Sequence, residues 1–281
     1  MKIHFKNYQK SDRLLDLTHP NIMGILNFTP DSFSDSGKFF SLDKALFQVE
    51  KMLNDGADII DIGGESTRPN AEIITISQEI ERVVPLVEAV RQRFDCLISV
   101  DSSKAEVFRE SAKAGADILN DIRALTEPNA LETAAELDLP VCIMHMQGSP
   151  QTMQQAPHYD DVVEEVADFL NRRILDCTLA GIPKEHIILD VGFGFGKTVE
   201  HNYQLLKHLN AFVASGYPVL AGLSRKSMIG AITGKPVDQR VIGSVTGALL
   251  CVQNGAQIVR VHDVAETKEA LQIWQAMNNV D

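Results

Sequence analysis

Short apolar runs in this chain end, one after another, in polar or ionisable side chains. Ile22-Met23-Gly24-Ile25-Leu26 leads to Asn27, and Ile59-Ile60 leads on to Glu65-Ser66-Thr67-Arg68. Leu97-Ile98-Ser99-Val100 ends at Asp101, Ile118-Leu119 at Asn120, and Val141-Cys142-Ile143 at Met144-His145. Ile187-Ile188-Leu189 ends at Asp190, Val219-Leu220-Ala221-Gly222 leads to Ser224-Arg225-Lys226-Ser227, and the last run carries Arg260, His262 and Asp263. Singly, each has a bland explanation: Asp101 before two serines can cap a helix, and His145 between methionines can be a core histidine. Eight such endings together point to one site. Asp101, Asn120 and Asp190 suit a flat heterocycle with several N–H groups, because a carboxylate meets an amino and ring N–H edge with two parallel hydrogen bonds. Lys226, Arg260, His262, Arg68 and Thr67 suit phosphate oxygens. Asn27 can add an oxygen ligand to Mg²⁺, which keeps several waters and borrows substrate phosphate oxygens. The expected ligand has a polar ring at one end and phosphate at the other.

The most distinctive stretch is Asp190-Val191-Gly192-Phe193-Gly194-Phe195-Gly196-Lys197. Its glycines permit tight turns and close backbone approach. It is not a P-loop, because Val191 stands where the first glycine belongs, and it is not a dinucleotide fingerprint, because the third glycine comes one residue early. Asp190 is therefore its expected anchor for the ring. Phe193 and Phe195 are expected near flat ligands, and Lys197 is expected to be a loop charge.

The elements that must position these groups alternate strand and helix. Apolar residues recur at helical spacing near 41–54 (with Ser41 as cap), 77–93 (with Pro85 inside), 103–114, 128–138, 159–180, 201–214, 238–254 and 264–277. Asp55-Gly56-Ala57-Asp58-Ile59-Ile60, Ala114-Gly115-Ala116-Asp117-Ile118-Leu119 and Asn254-Gly255-Ala256-Gln257-Ile258-Val259 repeat one helix-to-strand junction. Near-continuous apolar strands separated by helices imply a parallel sheet covered on both faces. Eight such units predict a single-domain (β/α)8 TIM barrel over 1–281, with a β-hairpin preface over 1–18; a doubly wound open sheet is the alternative. In a barrel the strand ends converge on one mouth.

A net charge of −12 argues against nucleic acid or an anionic membrane as a main partner. Cys96, Cys142, Cys177 and Cys251 are far apart and without a CxxC, as expected of free thiols in a reducing cytoplasm. The N-terminal residues lack the apolar core of a signal peptide, and no apolar run reaches the roughly 18 residues of a spanning helix. Rival chemistries fit less well. There is no His-x-His pair for zinc, no GxSxG elbow, and no cysteine with a histidine partner at a strand end. A glycosidase can use two strand-end carboxylates, but the basic set and the single Trp fit sugar poorly.

These residues carry a resemblance. Gly24-Ile25-Leu26-Asn27-Phe28-Thr29-Pro30-Asp31-Ser32-Phe33-Ser34-Asp35, Gly63-Gly64-Glu65-Ser66-Thr67-Arg68-Pro69, Ser99-Val100-Asp101, Asn120-Asp121-Ile122-Arg123, Met144-His145-Met146-Gln147-Gly148, Gly192 to Lys197, Ser224-Arg225-Lys226-Ser227 and Arg260-Val261-His262-Asp263-Val264 follow the motif order of the bacterial dihydropteroate synthases. The sequence resembles that family from residue 24 to 264. The resemblance implies a Mg²⁺-dependent transferase of folate biosynthesis, inhibited by sulfonamides, homodimeric and cytoplasmic. It would join 6-hydroxymethyl-7,8-dihydropterin diphosphate to 4-aminobenzoate. By motif, Asp101, Asn120, Met144, Asp190 and Lys226 would hold the pterin. Arg260 would stack on the ring and, with His262, take the diphosphate; Asn27 would meet the metal. Thr67, Arg68, Phe33, Pro69, Phe193 and Ser227 would shape the diphosphate and aminobenzoate sites. The long loops 28–40 and 64–76 would close over the reacting centre and bring Asp35 to Arg68. Two positions depart from the family: Val191 stands where it has Pro, releasing a fixed φ, and Ser102 where it has Thr. A corrinoid methyltransferase barrel would share the Asp/Asn set but gives no reason for Asn27 or Ser224-Arg225-Lys226-Ser227. A silent pterin-binding paralogue would be expected to lose the loop motifs, which are intact.

Overall fold

The computed structural model describes residues 2–5, 13–28, 38–66 and 73–280. In chain order the elements are β1 (Lys2–Phe5), β2 (Arg13–Asp16), β3 (Asn21–Asn27), α1 (Lys38–Asn54), β4 (Ile59–Gly63), α2 (Ile76–Arg93), β5 (Leu97–Asp101), α3 (Ala105–Ala114), β6 (Ile118–Asp121) and α4 (Ala130–Leu137). Then come β7 (Val141–Met144), α5 (Val162–Leu179), β8 (Ile187–Asp190), α6 (Val199–Lys207), α7 (Leu209–Val213), β9 (Val219–Ala221), α8 (Ser227–Thr233), α9 (Val241–Gln253), β10 (Ile258–Val261) and α10 (Val264–Asn278). Strands β3 to β10 pair in parallel, and β10 closes on β3, so the architecture is the expected (β/α)8 barrel. β1 and β2 pair antiparallel, Lys2 opposite Asp16, as the preface hairpin.

Both faces of the strands are apolar, for different reasons. Outward residues such as Ile60, Ile98, Leu119, Ile143 and Leu189 pack against helix stripes such as Val83, Leu86, Val87 and Val90 of α2. Inward residues form a second cluster, one from each barrel strand: Met23, Ile59, Leu97, Ile118, Cys142, Ile188, Leu220 and Ile258. Ile3, Leu15 and Leu17 belong to it, so the hairpin plugs the N-terminal mouth. Side chains alternate across a strand. The next inward position on β4, β6, β8 and β10 is therefore Asp61, Asn120, Asp190 and Arg260.

Several local expectations need correction. α1 begins at Lys38, so Ser41 lies within it and is not its cap. α2, by contrast, contains Pro85 as expected; it packs through four buried valine and leucine side chains and starts at a capping box of Thr75 and Gln78. The helix expected over 201–214 is two, α6 and α7, parted at His208, whose ψ of 19° is outside the helical range. α8 was not anticipated; it is one short turn-rich helix ending at Gly234 in the left-handed conformation. All four cysteines are buried and free. Among the described residues no helix is long and apolar enough to cross a membrane.

Candidate active site

The C-terminal mouth is built around Arg260. Its Nε donates to Asp61 Oδ2 at 2.6 Å and its Nη2 to Asp101 Oδ2 at 2.7 Å. Asp61 is fully buried and also accepts from Asn120 Nδ2, which lies 3.3 Å from each of its oxygens. Two strand carboxylates thus fix one guanidinium, and one of them orients Asn120 as well. Gly63 leaves a gap beside them: a Cβ there would lie 3.8 Å from Asn27 Oδ1 and 3.8 Å from Asp101 Oδ2. Burial pushes the Asp101 carboxyl up, against the pull of Arg260. Against burial, Asp61 and Asp101 hold Arg260 above the ordinary arginine value.

A second cluster joins β8 to the loop after β9. Asp190 is 6% exposed, and its Oδ1 accepts from the Gly192 amide at 2.7 Å. Burial raises its carboxyl, and Lys226 opposes that rise. Burial lowers Lys226 to about 8, resisted by Asp190. Lys226 Nζ donates to the Phe193 carbonyl and lies 4.5 Å from the Phe195 ring centre. Arg225, at φ 58°, makes a two-pronged ion pair with Asp263 through Nε (3.0 Å) and Nη2. That pair ties the β9 loop to the start of α10. His262 is beside it, with its backbone N–H donating to Ser224 Oγ (3.2 Å) and its Nδ1 3.0 Å from the same hydroxyl. Burial and the Arg260 charge lower its pKa to about 4, so the ring is neutral. Ser224 Oγ thus holds both the backbone and the ring of His262.

The structure thus gathers Asp101, Asn120, Asp190, Lys226, Arg260 and His262 at one mouth, with Met144 buried at the end of β7 and paired in register with Asp190. Asn27 is exposed at the end of β3, and Ser227 is exposed at the start of α8. Phe33, Asp35, Thr67, Arg68 and Pro69 lie outside the described residues. Phe193 is fully buried in the core, and its carbonyl meets Lys226. One expectation is overturned. Lys197 is no loop charge: it is 3% exposed and bonded to the loop's own carbonyls. Asp61 was missed because it sits inside a strand and not at its end. Its signal was the period of two from Ile59, which forces a carboxylate into the barrel.

A family model described as pterin binding enzyme matches residues 23–262. The dihydropteroate synthase of Haemophilus influenzae is 67% identical over 279 residues, covering 99% of this chain and 100% of that protein. Among solved structures, the Yersinia pestis dihydropteroate synthase with a sulfonamide drug superposes with a TM-score of 0.93 at 52% identity, covering 99% of this chain and 100% of that one. The Xanthomonas albilineans dihydropteroate synthase in complex with 7,8-dihydropteroate gives 0.88 at 46% identity, covering 96% and 97%. A barrel mouth of carboxylates beside cationic side chains, carried by a chain with these relatives, has one family home: the chain belongs to the pterin-binding enzymes, among the dihydropteroate synthases.

Proposed function

We propose that this chain joins 6-hydroxymethyl-7,8-dihydropterin diphosphate to 4-aminobenzoate, forming 7,8-dihydropteroate and diphosphate, a transferase step of folate biosynthesis. The observation that carries it is the inward polar layer of Asp61, Asn120, Asp190 and Arg260, in a fold whose 46%-identical relative holds 7,8-dihydropteroate. Asp190, Asp101 and Asn120 take the amino and ring N–H edge of the pterin, and Lys226 takes a ring acceptor. Arg260, aimed by two aspartates, lies against the ring and reaches the diphosphate with its remaining donors. His262 lies beside it, its ring free to meet the same group through Nε2.

These donors favour charge that develops on the leaving diphosphate. Its departure leaves a methylene cation conjugated with the pterin, which the carboxylates of Asp101 and Asp190 favour. The aniline nitrogen of 4-aminobenzoate is already neutral, so attack needs no strong base. The residues also fit Mg²⁺. Among the described residues no group of three or more His, Cys, Asp or Glu could hold a metal, yet Asn27 presents an exposed amide at the mouth. One protein oxygen suits an ion that takes its other ligands from water and diphosphate, whose charge it would neutralise. Thr67, Arg68, Phe33, Pro69 and Asp35 are assigned by motif to the diphosphate and aminobenzoate side, where sulfonamides would compete.

A homodimer is part of the same proposal. Tyr203, Ile242 and Leu250 are exposed at a cavity of about 320 Å³ between α6, α8 and α9, Ile232 and Val237 are exposed elsewhere on the surface, and a second copy of this chain would cover them. Sedimentation at two concentrations tests it. The acidic surface and four buried free thiols support a cytoplasmic setting. The activity test is diphosphate release. Diphosphate and dihydropteroate should appear together, and only when both substrates and Mg²⁺ are present. No release, or release without the aminobenzoate product, would refute the assignment.

A further inference from the structure

The Gly-Lys-Thr triplet at 196–198 imitates a phosphate loop, but its lysine points inward. Lys197 Nζ donates to the carbonyls of Gly192 (2.9 Å) and Phe195 (2.9 Å), reaches that of His145 (3.3 Å) and lies 3.0 Å from His145 Nδ1. None of these four acceptors is a carboxylate. A buried lysine held by backbone carbonyls and an imidazole is costly to build, since burial lowers its pKa. His145 is itself 6% exposed and packed edge-on against Phe169, ring centres 5.0 Å apart. Burial and Lys197 lower its pKa to about 3, so Nδ1 is free to accept.

The same loop has no slack. A Cβ at Gly192 would stand 1.9 Å from the His145 carbonyl, and one at Gly196 would stand 2.5 Å from that of Gln147. Tyr159 donates to the Gly196 carbonyl at 2.7 Å, and Gln154 to that of Gly194 at 2.7 Å. With the Gly192 and Phe195 carbonyls turned to Lys197, two other groups face the site. The Gly192 amide meets Asp190, and the Phe193 carbonyl meets Lys226.

We infer that Lys197, seated on His145, is a positioning residue: an internal hydrogen-bond donor that gathers the loop's carbonyls and so aims Asp190 and Lys226 at the pterin ring. Neither Lys197 nor His145 touches substrate. The inference rests on the pterin assignment above, and its tests separate the two. Lys197→Met keeps the length and removes the donor; it should raise KM for the dihydropterin diphosphate at least about tenfold while kcat stays within about threefold. A merely structural role would lower the folded fraction and leave that KM alone. His145→Asn, whose Oδ1 can replace Nδ1, should keep KM near the wild-type value, and His145→Phe should raise it. An unchanged KM in folded Lys197→Met would overturn the inference. Should Lys197→Met fail to fold, nitrogen-15 spectra of the unaltered protein still decide. One lysine side-chain nitrogen should keep its protons against exchange and shift when 6-hydroxymethylpterin is added. Absence of a protected lysine nitrogen would overturn the inference. Failure of the unaltered protein to release diphosphate would instead sink the functional assignment and leave the spectral result standing.

Discussion

Two layers of the same barrel interior, one pleat apart, behave as opposites. On β4, β8 and β10 the lower inward residues are Ile59, Ile188 and Ile258, all fully buried and sealed by the hairpin. The upper ones are Asp61, Asp190 and Arg260. The lower layer gains from being dry. The upper layer is unfavourable without its pairings, because buried charges must be matched. Asp61 and Asp101 flank Arg260, and Asp190 and Lys226 attract one another, so every charge of the layer has an opposite neighbour while its outer faces stay available to a ligand. One end of each strand holds the fold together, and two residues later the same strand holds chemistry.

Breaking the upper layer at its centre should have the largest effect. Arg260→Met leaves two buried carboxylates without their cation and should cost about 3–5 kcal/mol of stability at pH 8. Burial already raises Asp101 to about 7 against the pull of Arg260; without that cation it binds its proton still more tightly folded than unfolded, so the loss should shrink as pH falls to 5. Denaturant midpoints at the two pH values check this, and an equal loss at both would contradict the paired-charge picture. Breaking the lower layer with Ile188→Ala should cost about 2–5 kcal/mol at every pH, by cavity formation. A pH-dependent loss there would blur the distinction between the layers.

The histidines sharpen it further. In the unfolded chain His145 and His262 protonate near 6.5, but in the fold only at about 3 and about 4. The unfolded state therefore binds more protons in that window, and stability falls as pH drops below 6.5. At pH 5 each should cost roughly 2 kcal/mol. Acid unfolding of His145→Asn, which cannot titrate, should lack its share. The smallest effect is expected at Val191, where the family has proline. Its side chain is fully buried, and the loop is ordered by Lys197 and Tyr159 whatever its φ. Val191→Pro should change stability by no more than about 1 kcal/mol. A loss of several kcal/mol would mean that the loop depends on the valine.

Much of the upper layer was legible because strand ends are marked by an abrupt change from apolar to polar, as at Leu189-Asp190 and Val100-Asp101. Asp61 escaped that signal, since Ile59-Ile60 and Ile62 surround it and only the alternation of faces reveals it. Lys197 was misread because a lysine in a glycine loop has no local signature of direction; the carbonyls that turn it inward include one from His145, just past the end of β7. α8 was hidden by its brevity and by Gly230, and the break at His208 by continuous helical spacing across it. The family's loop motifs at 29–37 and 67–72 lie outside the described residues, so Asp35 and Arg68 keep roles given by motif alone.

Titration calorimetry of 6-hydroxymethylpterin into Asp190→Asn, with Ile188→Ala beside it, tests the division most directly. The account predicts that Asp190→Asn binds more weakly by about 1.5–3 kcal/mol, the size of a charged hydrogen bond, while Ile188→Ala binds as the unaltered protein does. Unchanged affinity in a folded Asp190→Asn would contradict it.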